Sequence, residues 1–238
     1  MGVDTVDCTQ PSPKLEDAQV FDGLTERDLR EIAEIGKTLE LKREQIVFAP
    51  EDEADHVYVL ASGKVKLAKV ADDGKEVTIA VLQPGDVFGE LSLFSGETHD
   101  TFAEVIEDAT IYAIPRADFE GLLSSRPALS LALLSSIMER LRQAESQIED
   151  LVFRSVPARV AHLILKLAQD HGHVGPKGIT VRLRLTHQDV ANFVGATRET
   201  VTNVLNDLRA DGLIEIEHKQ IRILDYEGLQ AAASVDRG

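Results

Sequence analysis

Residues 186–208 read Thr-His-Gln-Asp-Val-Ala-Asn-Phe-Val-Gly-Ala-Thr-Arg-Glu-Thr-Val-Thr-Asn-Val-Leu-Asn-Asp-Leu. Thr186 is an N-cap with Asp189 three residues on, a pairing that satisfies the first free amides of a helix. Val190, Ala191 and Val194 share one apolar face of that helix, and Gly195 supplies a sharp turn. Thr197 caps a second helix with Val201, Val204, Leu205 and Leu208 as its core positions and Gly212 beyond its end. Two short amphipathic helices joined by a glycine-bearing turn make a helix-turn-helix.

Working outward, Ile214–Ile223 alternates on both sides of His218-Lys219, which predicts the hairpin of a wing. The outward positions at the start of the second helix are Arg198, Glu199, Thr202 and Asn203. These side-chain types suit base edges in a major groove. Arginine clasps guanine O6 and N7, glutamate accepts from a cytosine amino group, and asparagine reads adenine. Arg182, Arg184, Lys219 and Arg222, with the helix starts at Thr186 and Thr197, are placed to hold phosphates and set register.

Charge agrees with that division of labour. The 238 residues carry a formal charge of −16, from 25 Lys and Arg against 41 Asp and Glu. Residues 155–224 hold nine Lys/Arg and seven Asp/Glu, a net of +2, so the remainder carries −18. One part of the chain tolerates phosphate and the rest repels it.

From about 39 to 118 the apolar period is two: Val57–Leu60, Val65–Val70 and Val77–Leu82 are β-rich runs. Asp72-Asp73-Gly74-Lys75 separates two of them as a hairpin, and Gly63, Gly74, Gly85, Gly89 and Gly96 are expected at turns. A small sandwich or rolled barrel is expected there. Before it, residues 19–37 show helical spacing through Leu24, Leu29, Ile32, Ala33 and Ile35, with Thr25 and Asp28 as a partial capping box. After it, Leu134, Ile137, Leu141, Ala144, Ile148 and Leu151 follow a heptad seam, and the strictness of the repeat favours a parallel homodimer. Pro157 then marks a break and an interdomain hinge. A helix through Val160, Leu163, Ile164 and Leu167 runs to Gly172. His171–Gly178 is expected as an exposed loop, and Ile179–Leu185 as a strand.

One cysteine, Cys8, excludes a disulfide framework and a four-cysteine zinc or iron–sulfur site within the chain. No metal site is expected, since His171 and His173 have no third ligand of matching geometry. The start has no basic-then-apolar signal pattern, and no run approaches the ~18 apolar residues of a membrane span. The expectation is a cytoplasmic protein.

Gly63-Lys-Val-Lys, Pro84-Gly-Asp-Val-Phe-Gly-Glu-Leu-Ser-Leu-Phe94, the seam helix and Val194-Gly-Ala-Thr-Arg-Glu-Thr-Val201 together resemble the cyclic-AMP receptor protein / fumarate-and-nitrate-reduction regulator (Crp/Fnr) family over residues 20–225. The resemblance implies an α+β chain: a cyclic-nucleotide-binding-like double-stranded β-helix (jelly roll) over 19–126, a dimerisation helix over 127–154 and a winged helix-turn-helix over 155–238; residues 1–18, with Pro11, Ser12, Pro13 and several acids, are expected as a flexible tail. It further implies a homodimer that grips a palindromic operator on double-stranded DNA and contacts RNA polymerase, most often as an activator.

In that family a cyclic nucleotide sits at the turn after Phe-Gly-Glu, which here maps to Gly89, Glu90, Leu91 and Ser92, with Glu90 receiving the ribose hydroxyl. The family's phosphate-binding arginine, however, is replaced by His99, followed by Asp100, and its adenine-contacting Thr-Ser pair by Ala144 and Glu145. Losing one charge-assisted hydrogen bond costs ~1.5–3 kcal/mol, roughly ten- to a hundredfold in affinity. These residues favour a sensor domain that acts without ligand over a modified cyclic-AMP pocket. A haem sensor through His56 or His99 has only lone histidines to support it. A nucleotide-regulated enzyme lacks a nucleophile–base constellation, a phosphate-binding glycine loop and a metal-ligand set. A nucleotide-binding interaction module lacking DNA affinity is the remaining rival.

Overall fold

A computed structural model describes residues 32, 34–72, 74–92 and 98–234. Cys8 and the expected capping box at Thr25 and Asp28 lie outside these residues, as does Gly96. The chain divides into two compact units at Arg142/Gln143.

The first unit is built on strands β1 (Lys37–Leu41), β2 (Ile46–Phe48), β3 (His56–Val70), β4 (Glu76–Leu82), β5 (Val87–Phe88) and β6 (Phe102–Pro115). Their order is β1-β6-β3-β4, with β2 paired to β6 and β5 to β3, and the described pairings are antiparallel. Alternation puts Val65, Leu67, Val105, Ile111, Leu82 and Phe88 in one apolar core; Val57, Val59, Tyr112 and Ile114 pack on the helical side with Ile32 and Phe119.

The runs Val57–Leu60 and Val65–Val70 are not two strands with a turn at Gly63. They belong to one strand, β3, whose register against β6 slips between Leu60 and Val65. Gly63 has φ +84°, and an added Cβ would lie 2.2 Å from the Asp108 carbonyl oxygen. It marks a kink where two backbones nearly touch, a role for glycine that spacing alone does not distinguish from a turn.

Two helices follow, α1 (Arg116–Ser125) and α2 (Pro127–Phe153). The first turns of α2 bury Leu129 and Leu133 against the sheet's helical side, with Ile137 partly covered. Beyond them the chain by itself leaves Leu134 54%, Leu141 49%, Ile148 61% and Leu151 50% exposed. No single helix among the described residues is long and apolar enough to cross a membrane.

In the second unit, α3 (Val156–His171) starts from Ser155 and carries Pro157 in its first turn. The break therefore precedes the proline instead of falling on it, because a first-turn proline sacrifices no hydrogen bond. The expected loop after His171 is a hairpin: β7 (Gly172–Gly175) pairs with β8 (Gly178–Val181), and His173 lies on β7 while His171 ends α3 half-buried. The expected strand Ile179–Leu185 keeps its alternation, burying Val181, Leu183 and Leu185, but the regular strand ends at Val181, beyond which the Arg182 and Leu185 amides still donate to the His171 and Lys219 carbonyls. Helices α4 (His187–Val194) and α5 (Arg198–Ala210) come next, then β9 (Ile214–Glu217), β10 (Gln220–Ile223) and α6 (Tyr226–Ala232). The sheet order is β7-β8-β10-β9.

Candidate nucleic-acid interface and effector site

The Thr186 hydroxyl accepts from the Asp189 amide at 3.1 Å, and the Asp189 carboxylate accepts from the Thr186 amide at 2.7 Å, a complete capping box on α4. Gly195 takes the left-handed conformation (φ 63°) and turns the chain toward α5, where Thr197 accepts from the Thr200 amide at 3.2 Å. Val190, Ala191, Val194, Val201, Val204, Leu205 and Leu208 are buried, so the apolar faces of α4 and α5 are spent on the core. That leaves Arg198, Glu199 and Asn203 exposed at the start of α5.

Thr202 differs. It is half-buried, its hydroxyl donates to the Arg198 carbonyl at 2.8 Å, and His187 Nδ1 stands 2.8 Å from Thr202 Oγ1.

Among the cations, Arg182, Arg184, Arg198 and Lys219 are exposed and have no ion-pair partner among the described residues. Lys219 sits at the wing tip with φ 65°, next to His218 at φ 51°, the mirror-image turn that suits a two-residue hairpin. Arg222 is placed otherwise than expected. Its guanidinium is bound by Glu215 at 2.6 Å, Glu217 at 3.6 Å and Thr180 at 3.3 Å, and its side chain is only 24% exposed. Glu215 lies directly across the ladder from it, so the wing neutralises its own arginine.

In the first unit, Gly89 (φ 80°) turns the chain after Phe88, and Glu90 is buried. Arg140, from α2, donates to Glu90 Oε1 at 2.8 Å and to the Val87 carbonyl, and Glu90 Oε2 has no hydrogen-bond partner among the described residues. Burial pushes the Glu90 carboxyl above the ordinary glutamate range, while Arg140 pulls the other way. Ser92 is buried and Leu91 exposed.

His99 is 3% exposed, stacked on Phe48 at 3.7 Å between ring centres, with Nδ1 3.1 Å from the Ser92 hydroxyl. Burial lowers its pKa in spite of Asp52, Asp100 and Asp55, so the imidazole is neutral at pH 7. Asp100 pairs with Lys69 at 2.8 Å with its side chain 70% exposed. The negative charge that Asp100 brings beside His99 is therefore answered by Lys69.

Residues 38–126 match the family model of the cyclic nucleotide-binding domain, and residues 158–232 that of the Crp-like helix-turn-helix domain. Over 216 residues the chain is 33% identical to the CRP-like cAMP-activated global transcriptional regulator of Mycobacterium tuberculosis, covering 91% of this chain and 96% of that one. The chain belongs to the Crp/Fnr family of transcription factors.

A global nitrogen regulator of Synechococcus elongatus is 37% identical over 188 residues, 78% of this chain and 85% of that protein. Among solved structures, a CRP/FNR-family transcriptional regulator from Thermus thermophilus aligns with a TM-score of 0.69 at 28% identity, covering 83% of this chain and 98% of that one. This chain is accordingly a transcriptional regulator with a helix-turn-helix DNA-binding domain, and its architecture is the α+β one expected: a β-rich nucleotide-binding-type domain, helices, then the helix-turn-helix.

Three groups of this Crp/Fnr regulator escaped sequence reasoning. Arg140 reaches Glu90 across fifty positions, a separation that no local pattern spans. His187 reaches Thr202 across the turn. At the end of α2, Asp150 binds both Arg154 (2.7 Å) and His162 (2.6 Å), while Arg154 also donates to the Ala233 carbonyl and Arg159 donates to the Arg154 carbonyl at 3.1 Å. The i, i+4 spacing of Asp150 and Arg154 is a local signal for one of these bonds; the contacts to His162 and Ala233 have none.

Proposed function

We propose that this regulator works as a homodimer on a palindromic operator, with Arg198, Glu199 and Asn203 reading base edges. The observation that carries the reading is the exposed polar tip of α5, whose apolar face is wholly spent on its own core. Two copies joined along the exposed seam of α2, a helix of about 40 Å, would carry two such tips into successive major grooves about 34 Å apart. Arg182, Lys219 and the amides at the starts of α4 and α5 then hold phosphates and set register; Arg222 shapes the wing. The bound dimer acts on RNA polymerase in the cytoplasm, as an activator.

The sensor domain reaches its DNA-competent state without ligand in this reading. Its support is electrostatic: a neutral, buried His99 stands where a phosphate needs a fixed cation, and Arg140 is committed to Glu90 and Val87. A cyclic nucleotide phosphate fits this arrangement poorly. The rival, a cyclic-AMP-dependent regulator with an altered pocket, draws on the likeness to the cAMP-activated relative and on Glu90 Oε2, which has no partner among the described residues.

The test is binding to duplexes enriched from a random pool, with and without cyclic AMP, alongside calorimetry with cyclic AMP. Ligand-independent enrichment, lost in Arg198→Ala, is expected. Enrichment only with the nucleotide favours the rival, and none under either condition overturns both.

A further inference from the structure

The hydrogen bonds around Thr202 can be assigned donor by donor. Its Oγ1 lies 2.8 Å from the Arg198 carbonyl oxygen, and a carbonyl only accepts, so the single hydroxyl proton is spent there. His187 Nδ1, 2.8 Å from the same Oγ1, must therefore be the donor of the second bond. The result is a directional relay: imidazole N–H to threonine hydroxyl to the first carbonyl of α5. Its origin is well anchored, because His187 lies within the capping box that joins Thr186 and Asp189. Its far end is the backbone of Arg198, the exposed residue at the tip of the reading helix.

We propose that His187, although outside the recognition helix, is a positioning residue for operator reading. It holds the Thr202 hydroxyl back against α5 and fixes the rung that carries Arg198, so Thr202 belongs to the scaffold and not to the base-reading set. Thr202 has no proton left for a base acceptor or a phosphate. Without His187 the hydroxyl is released to compete for groove partners, and the helix tip is held to α4 by packing and the Gly195 turn alone.

This inference rests on the DNA-binding reading, and one experiment separates their failures. A random duplex pool is enriched with the wild-type protein; if nothing is enriched, the DNA-binding reading itself is overturned. With an enriched duplex in hand, its affinity and that of a scrambled duplex are measured over a salt series for the wild type, His187→Ala, His187→Asn, Thr202→Ala and His187→Ala/Thr202→Ala, with thermal melting as a check on folding.

The relay predicts that His187→Ala loses about 2- to 10-fold on the enriched duplex per half-site, the worth of one neutral hydrogen bond. Binding to scrambled duplex and the salt slope stay as in the wild type. His187→Asn, which can place an amide N–H near the Nδ1 position, restores affinity, and the double variant is no weaker than His187→Ala. Equal losses on both duplexes with a shallower salt slope would make His187 a plain phosphate contact and overturn the proposal. Additive effects of the two substitutions, or a silent His187→Ala, overturn it as well. Should His187→Ala fail to fold, Thr202→Ala removes the same bond from the other side, and an unchanged enriched-to-scrambled ratio in it refutes the relay.

Discussion

His99 shows how one side chain can be read from its neighbours in the chain and still surprise. Its substitution for an arginine is visible in the sequence; its stacking on Phe48 and bond to Ser92 depend on strands that meet only in the fold. The lowered pKa has a stability consequence with a definite sign. Below the ordinary histidine value of about 6.5 the unfolded chain binds a proton that the folded chain resists, so stability is full above that value and falls as pH drops through it. The difference in melting temperature between the wild type and His99→Gln, followed from pH 7.5 to 5.5, should shrink or reverse toward the acid end. A difference independent of pH contradicts the burial argument; taking the difference also cancels the opposing contribution of Glu90, whose carboxyl is raised. Arg222 teaches the complementary lesson. Sequence alone marks it as a cation on a wing, but Glu215 opposite it is revealed only by strand register. The helix caps at Thr186 and Thr197, by contrast, were legible because both partners of each bond lie within three residues.

Among the elements, α2 was the most readable and β3 the least. A heptad repeat is local and survives any tertiary context, and its exposed leucines and isoleucine ask for a partner helix. Placing a charge on the seam therefore tests the proposed dimer directly. Leu141→Asp with Ile148→Asp should raise the dimer dissociation constant by about 100-fold or more, since two buried apolar groups per chain are lost and two charges must be desolvated. Sedimentation at micromolar concentration should show monomers with unchanged helix content; persistent dimers would place the interface elsewhere. In β3 the same reasoning failed for a physical reason. The backbone of Asp108 and Ala109, more than forty positions away, forbids a side chain at Gly63, and nothing near residue 63 encodes that contact.

For the whole molecule, the uneven charge makes salt the natural variable. An acidic chain of net −16 binds DNA only by presenting a locally cationic face, so affinity should fall steeply with ionic strength. Lys219→Gln should flatten the log–log salt slope by about one per chain without altering base preference, whereas Arg222→Gln should leave the slope nearly unchanged because Glu215 and Glu217 already neutralise it. Equal slopes for both variants would mean that Arg222 leaves its partners on binding. The Gly195 turn carries a further consequence. A Cβ added there would stand 3.2 Å from Leu151 Cδ2, so the methyl of an alanine and the last leucine of the seam compete for one small volume. Trimming Leu151 should therefore relieve the crowding, though not the left-handed backbone strain, of Gly195→Ala, making it a partial second-site suppressor that a genetic screen would return from the helix proposed to pair the subunits.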